Sequence, residues 1–276
     1  MSKIFFIVFF FTRLYAQDSL KTETYEQSID RWHEGRIMGL KNEYGWLSLI
    51  ALEWMNEGEN IVAGIGTISM INDSLRMKLN TGLRVMLNEK EFISGSIEAD
   101  TERIIVGSKA IAIISRGGKY AVRVWDSETP ARKNFTGIHR YPVDARWKIT
   151  AQWILYDVPK KVKIPTVIPD LIQDGIVPGV AVFSIDGKEC RLEPTIEEGS
   201  DELFFVFGDK TNGRESYGAG RFLYTDVSKD GTIILDFNKA YNPPCVFTDF
   251  ATCPVPTPEN RLKVRIEAGE KNFRSH

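Results

Sequence analysis

Short runs of β-forming residues fill most of the chain after residue 57, and turn residues end each run. The turns are Asn72-Asp73, then Asn80-Thr81-Gly82, then Gly117-Gly118. They recur about every 8 to 12 residues, a spacing typical of antiparallel sandwiches and barrels rather than of β-α-β units. We therefore predict a mainly β protein whose body is an antiparallel sandwich or is barrel-like.

One segment ahead of these runs has helical periodicity. Tyr25, Ile29 and Trp32 recur at the spacing of one helix face, and charged residues fill the other face. Thr22 or Thr24 is suited to cap this helix at its start. We expect an N-terminal amphipathic helix packed against the β body.

The first residues have the order of an export signal. Lys3 precedes an apolar run over residues 4–11, and the small residue Ala16 precedes the polar Gln17. We predict a signal peptide over residues 1–16 and an exported protein, periplasmic or secreted. An apolar first strand or a retained anchor is the alternative.

Charge and hydropathy argue against two classes of partner. Loss of residues 1–16 would remove Lys3 and Arg13 and leave 33 basic residues against 37 acidic ones. An acidic chain has no electrostatic basis for binding nucleic acid. No apolar run reaches the roughly 18 residues that a membrane-spanning helix needs, so we expect no membrane span after signal removal. The sequence makes no prediction of the oligomeric state.

The chain contains no repeat and no strong linker. Its best internal boundary is the turn-rich segment from Asp126 to Pro142. We predict a helix plus β subdomain over residues 17–125 and a C-terminal β subdomain over residues 126–276, unless the two form one continuous domain. Residues 158–178, rich in Pro, Val and Ile, are expected to cross the surface as an extended connection.

Polar side chains and prolines concentrate between residues 204 and 265. The prolines after Asn238 stiffen a long loop, and a long ordered loop is more often functional than idle. We predict that this loop folds over neighbouring strands and gathers a ligand-binding pocket. The predicted pocket residues are Arg221, Asp236, Asn238, Tyr241, Asn242, Glu259, Asn260 and Arg261.

Arginine forks in this set favour a small polar or anionic ligand, because guanidinium groups bind carboxylate or phosphate bidentately. Four aromatic residues of the same region would form apolar walls: Tyr217, Tyr224, Phe237 and Tyr241. One alternative is a metal-independent hydrolase with Asp236 or Glu259 as acid or base. Another is a non-catalytic structural or interaction domain of the cell envelope, in which the polar cluster only fixes the loop. The residues do not decide whether the protein is an enzyme.

Two cysteines, Cys245 and Cys253, flank part of this loop. In an exported protein their spacing favours a disulfide, with buried free thiols as the alternative. A zinc site would need two further Cys or His ligands, and the chain offers few candidates, so we predict no metal. The glycines at 64 and 66 lack the rest of a dinucleotide fingerprint, and we predict no cofactor.

Several motifs occur together in one known family. They are LDFNKAYNPPCVF, TCPVP, ENRL and AGEK, preceded by FFVFGDKTNGRESYGAGRFLY, RVWDSETPARKNFTG and GWLSLIALEWMNEGEN. In this combination the chain, from about Tyr25 onward, resembles domain of unknown function 1684, a family of uncharacterised bacterial and archaeal proteins. The resemblance implies no established activity, substrate or cofactor, so it assigns no role to any residue.

Overall fold

The structure is a computed structural model that describes residues 23–87, 90–196, 202–227 and 230–273. The predicted signal peptide, residues 1–16, lies outside the described residues. Within the described ranges, no helix is both long enough and apolar enough to cross a membrane.

Strands dominate the described chain, with two α-helices and several single turns of 3-10 helix. The helices are α1 (Tyr25–Leu40) and α2 (Pro130–Lys133). The strands are β1 (Leu49–Trp54), β2 (Gly58–Val62), β3 (Gly66–Ile71), β4 (Ser74–Leu79), β5 (Val85–Leu87), β6 (Lys90–Phe92), β7 (Ser94–Ser96), β8 (Ile104–Val106), β9 (Lys109–Arg116), β10 (Lys119–Asp126), β11 (Lys148–Pro165), β12 (Ile172–Ile185), β13 (Lys188–Leu192), β14 (Thr195–Ile196), β15 (Glu202–Phe207), β16 (Arg221–Asp226) and β17 (Thr232–Asp236).

Helix α1 forms where its periodicity predicts it and begins with a complete capping box. The Thr24 hydroxyl accepts a hydrogen bond from the Gln27 backbone at 3.2 Å, and the Gln27 side chain accepts one from the Thr24 backbone at 2.9 Å. Ile29 and Leu40 are buried, so one face packs on the β body. The predicted N-terminal helix is confirmed.

The first half of the chain forms two four-stranded antiparallel sheets and a small hairpin. One sheet has the order β1-β10-β9-β8, the other β2-β3-β4-β7, and β5 pairs with β6. Their shared core is aliphatic, with Ile68, Met77 and Ile113 nearly inaccessible to solvent.

The second half forms one curled sheet with the order β16-β15-β14-β12-β11-β17, and β13 pairs with β12. The end strands β16 and β17 approach each other, and the Thr225 hydroxyl on β16 donates to the Ile234 carbonyl oxygen two residues before the end of β17, at 2.8 Å. The sheet is therefore a nearly closed barrel. Its interior holds Phe205, Phe207 and Phe237, which are inaccessible to solvent. The predicted mainly β, antiparallel fold is confirmed.

Two expectations about chain organisation have different outcomes. Residues 158–178 do not cross the surface as a connection. Residues 158–165 and 172–178 form the paired ends of β11 and β12, with Lys160 opposite Val177 and Pro165 opposite Ile172. The Val and Ile residues of this segment favour strands, and this preference prevails over its prolines. The division into subdomains at residues 125 and 126 stays a prediction.

Candidate functional site

The C-terminal loop folds back over the open edge of the barrel. Tyr241 forms a two-way backbone bridge with Phe222 on β16, at 2.9 and 3.0 Å. Further along, the Gly208 amide donates to the Asn260 carbonyl oxygen at 2.9 Å, and the Leu262 amide donates back to Gly208 at 2.7 Å. The loop is thus fixed near both ends, to β16 and to the residue that follows β15, and this fixes where its side chains lie.

Arg221 lies inside the protein and lines none of the clefts described below. Its Nη2 donates to Asp209 Oδ2 and to the Ile266 carbonyl oxygen, both at 2.8 Å, and its Nη1 donates to the Ala268 carbonyl oxygen. Arg221 is inaccessible to solvent and Asp209 is buried. A buried pair with this geometry holds the C-terminal segment on the barrel.

Asp236 and Asn238 join helix α1 to the barrel. The Tyr25 hydroxyl donates to Asp236 Oδ1 at 2.7 Å and accepts a hydrogen bond from Asn238 Nδ2 at 2.8 Å. Asn238 also bonds both the amide and the carbonyl of Asp144. Burial, reinforced by the Asp236 carboxylate, raises the pKa of Tyr25, so the phenol remains a hydrogen-bond donor. The Asp236 carboxylate thus accepts hydrogen bonds from Tyr25 and from Asn238.

Three further predicted residues lie at the distal end of the loop. Asn260 is buried and bonds the Glu193 amide and carbonyl at 2.8 Å each. Glu259 and Arg261 are exposed. Glu259 and Asn260 line a cavity of about 460 Å³ between the loop and the ends of β11 and β12, the proline-loop cleft. Its lysines already form ion pairs, since Lys160 lies 2.7 Å from Glu193 and a second lysine pairs with Asp174.

Tyr241 lies instead in a larger cavity of about 910 Å³ between α1 and the strands β15 and β16. This aromatic cleft has walls of Trp32, Trp46, Phe204, Phe222, Tyr224 and Tyr241. Its charged residues are Arg31, Arg36, Glu202 and Lys239. The pairing of Phe204 with Tyr224 across β15 and β16 places these two rings side by side at the cleft wall.

Three rings of the aromatic cleft, Phe204, Tyr224 and Tyr241, are roughly parallel, whereas Phe222 is edge-on to Phe204 and Tyr241. Phe204 and Tyr224 stack at 4.7 Å between centroids, and Tyr224 and Tyr241 are nearly parallel, 13° apart at 6.4 Å. Trp32 approaches Tyr241 from the helix at 6.4 Å. Such a wall can stack against a flat ligand.

Arg36 is held against the Tyr241 ring by two groups, the Asn242 carbonyl and the Glu270 carboxylate. Its guanidinium carbon lies 4.8 Å from the Tyr241 ring centroid. Nη2 donates to the Asn242 carbonyl oxygen at 2.9 Å, and Nε lies 3.4 Å from Glu270 Oε1. Glu270 is buried, and its Oε2 accepts a hydrogen bond from the Asn242 amide at 2.7 Å. Burial raises the pKa of Glu270, although the Arg36 charge opposes the shift.

Comparison with known proteins identifies the family. The family model described as protein of unknown function, DUF1684, matches residues 133–271, about half of the chain. The chain belongs to the DUF1684 family. The resemblance seen in the sequence motifs is confirmed.

One solved structure similar to this DUF1684 chain is an uncharacterised protein of Haloarcula marismortui, determined by solution NMR. The two are 30% identical, the match covers 54% of this chain and 83% of that chain, and the TM-score is 0.45. No curated protein matches the chain at a significant level.

The DUF1684 match contains only part of the aromatic cleft. Tyr224, Tyr241 and Glu270 lie inside the matched residues, whereas Trp32 and Arg36 on α1 precede them. Sequence reasoning did not select Trp32, Arg36 or Glu270 as site residues. A signal existed for the first two, because they lie four positions apart and so share one helix face.

Cys245 and Cys253 of the DUF1684 region are free thiols in the structure, so the predicted disulfide is not formed. The Cys245 amide donates to Cys253 Sγ at 3.1 Å. The Cys253 thiol lowers the pKa of Cys245, whereas contact with Cys245 and burial raise the pKa of Cys253. Among the described residues, no group of three or more His, Cys, Asp or Glu side chains could hold a metal ion.

Proposed function

We propose that the protein binds a small ligand with a flat aromatic body and an anionic group in the aromatic cleft. The observation that carries the proposal is the placement of Arg36, which Glu270 and Asn242 fix against the face of Tyr241. A cation held beside an aromatic wall complements a ligand of this chemistry.

The size and lining of the aromatic cleft support this proposal. Ligand sites occupy about 300 to 1,000 Å³ and are mainly apolar with a few fixed polar groups, and the cavity of about 910 Å³ lies within that range. Its lining holds three basic residues, Arg31, Arg36 and Lys239, and one acidic residue, Glu202, which favours a negative ligand. Arg31 pairs with Glu23 and Arg36 with Glu270, but these two carboxylates are not part of the lining. In the smaller proline-loop cleft the paired carboxylates Glu193 and Asp174 belong to the lining itself.

The hydrolase alternative has less support from the geometry. Asp236 bonds Tyr25 and Asn238 and is not among the described residues that line either cleft. Glu259 lies in the proline-loop cleft as an exposed side chain. A binding role therefore fits these contacts better than acid or base catalysis by either carboxylate.

Export remains part of the proposal, and it rests on the order of residues 1–16 alone. N-terminal sequencing of the mature protein from fractionated cells tests it. We expect the chain to begin at Gln17, and an intact Met1 in the cytoplasmic fraction would contradict export.

The direct test of the cleft is a steric block on α1. Gly35 lines the aromatic cleft, and a Cβ built on it meets no atom within 4 Å. Gly39, on the same helix, is equally open but is not part of the cleft lining. Gly35→Leu and Gly39→Leu thus form a matched pair, and each should stabilise the helix by roughly 0.5 to 1 kcal/mol.

We expect 2-naphthoate, titrated by NMR, to bind the wild type and the Gly39→Leu variant equally. It should bind Gly35→Leu at least about tenfold more weakly, since loss of ring contacts worth about 1.4 kcal/mol changes affinity by that factor. Equal binding by both variants, or no binding to the wild type, would rule out the aromatic cleft as the site.

A further inference from the structure

A third cavity, of about 350 Å³, lies at the face of the sheet β1-β10-β9-β8 that carries Arg123 and Trp125. We call it the arginine cleft, because three arginines line it: Arg103, Arg116 and Arg123. Aromatic rings of Tyr44, Trp46 and Trp125 also line it, together with two carboxylates, Asp100 and Glu102.

The strand register explains why a cavity exists there. Arg123 on β10 is directly opposite Ala112 on β9, and Trp125 is opposite Ala110. Side chains directly opposite one another on neighbouring strands lie on the same face of a sheet. Of the two alanines, Ala112 lines the cavity, because its methyl group is too small to fill the space beside Arg123.

Arg123 is the unusual member of this group. It is 6% exposed, yet its only hydrogen bond within the described chain is a long one, from Nη2 to Thr252 Oγ1 at 3.4 Å. Its Nε has no hydrogen-bond partner among the described residues, and its guanidinium lies 5.2 Å from the Trp46 ring centroid. Burial, and then repulsion by Arg116, lowers the pKa of Arg123 to about 10.

The two neighbouring arginines differ in their partners. Arg116 Nη1 forms an ion pair with Asp100 at 2.9 Å, so that carboxylate is already engaged. Arg103 lies over the rings of Trp125 and Tyr44, at 4.6 and 5.9 Å. A buried guanidinium normally has a carboxylate or several acceptors around it, because an uncompensated buried charge is strongly unfavourable.

We propose that the arginine cleft binds a small oxyanion, a carboxylate or a phosphate group, with Arg123 as its central ligand. The Arg123 fork supplies the bidentate donors that such a group needs. Arg103, which stacks on aromatic rings, adds positive charge at the exposed side of the cavity. This site is separate from the aromatic cleft, although Trp46 lines both.

The test uses the full chain titrated with sodium phosphate, sodium acetate and, at equal ionic strength, sodium chloride. We expect the indole resonances of Trp46 and Trp125 to shift together with phosphate or with acetate, and not with chloride. A response to phosphate alone would identify a phosphate site, and a response to acetate alone a carboxylate site. A lack of response to both anions would overturn the proposal.

Arg123→Met provides the second readout, with Arg76→Met as the control, because Arg76 is exposed on β4. In chloride buffer we expect the Tm of Arg123→Met to equal or exceed that of the wild type, since the variant removes a buried charge. Phosphate or acetate should raise the Tm of the wild type and of Arg76→Met but not that of Arg123→Met.

A purely structural role for Arg123 predicts the opposite pattern. Arg123→Met would then lose stability in chloride, and neither anion would raise the wild-type Tm. That result would also overturn the proposal. Gly35→Leu should respond to phosphate and acetate as the wild type does. The aromatic cleft proposal and the arginine cleft proposal can therefore fail independently, and the experiments show which one has failed.

Discussion

Glu270 Oε1 lies 3.4 Å from Arg36 Nε, and the Glu270 side chain is almost inaccessible to solvent while the Arg36 side chain is 16% exposed. The pair connects the end of the described chain to helix α1. It also determines which way the cleft's central cation points.

The pair makes stability depend on pH. Because burial raises the pKa of Glu270 in the folded protein, the folded state holds this proton more tightly than the unfolded state. The resulting stabilisation is complete below the ordinary Glu pKa of about 4.3 and is lost as the pH rises through the raised value. Glu270→Gln, which mimics the protonated form, should therefore gain stability relative to wild type as the pH increases through this window.

Urea unfolding at a series of pH values measures this difference. Glu267→Gln is the control, because Glu267 is exposed. A relative stability of Glu270→Gln that falls with rising pH would show that Arg36 lowers the Glu270 pKa below its usual value, contrary to our account.

Arg36 should discriminate between charged and neutral ligands. We use the Glu270→Gln background, so that removal of Arg36 does not leave a buried carboxylate without its cation. Adding Arg36→Gln should weaken 2-naphthoate binding by about tenfold or more, since a hydrogen bond to a charged group contributes roughly 1.5 to 3 kcal/mol. Binding of the neutral 2-naphthol should change little.

Calorimetry of both ligands on both proteins gives the comparison. Arg31→Gln in the same background controls for the loss of a positive charge at the cleft, because the Arg31 side chain is 72% exposed. Equal losses for naphthoate and naphthol would mean that Arg36 shapes the wall and does not recognise charge.

Arg221 should matter for stability and not for ligand binding. Arg221→Met leaves Asp209 as a buried carboxylate without its cation and removes hydrogen bonds to three carbonyl groups. We expect the free energy of unfolding to fall by about 3 to 5 kcal/mol. Arg265→Met, which breaks exposed pairs with Glu215 and Glu267, should cost less than about 1 kcal/mol. Similar losses in denaturant unfolding would contradict the role assigned to Arg221.

The free thiols can be counted chemically. In denaturant without reductant, an alkylating reagent should label Cys190, Cys245 and Cys253, because the structure contains no disulfide among them. In the native protein Cys245 should react first, since its pKa is lowered and it is less buried than the other two. Labelling of Cys190 alone in the denatured protein would establish the disulfide that the sequence favours.

The fold was largely predictable because its signals are local. Alternation and turn residues predict strands wherever they occur, and the spacing of Tyr25, Ile29 and Trp32 predicts α1. Closure of the barrel is not a local property. It depends on the contact of Thr225 on β16 with Ile234 on β17, two strands that are not paired neighbours in the sheet.

The candidate site was less predictable for a related reason. Tyr241 lines the aromatic cleft, and Asn242 lies directly beneath it. Arg221 and Asn260 instead form hydrogen bonds with buried groups. Polar residues between apolar neighbours have the same appearance in sequence whether they bind a ligand or lock a loop. The strand register reveals the difference for Arg221. It places Arg221 opposite Phe207, so both side chains lie on the interior face of the barrel.

The most direct test of the central claim is the position of 2-naphthoate on the protein. Intermolecular NOEs should connect its ring protons with the Trp32 indole and with the Tyr224 and Tyr241 rings, and with no residue of the proline-loop cleft. NOEs to Ile164 and Pro254 of that cleft instead, or none to the three aromatic side chains at saturating ligand, would contradict the account.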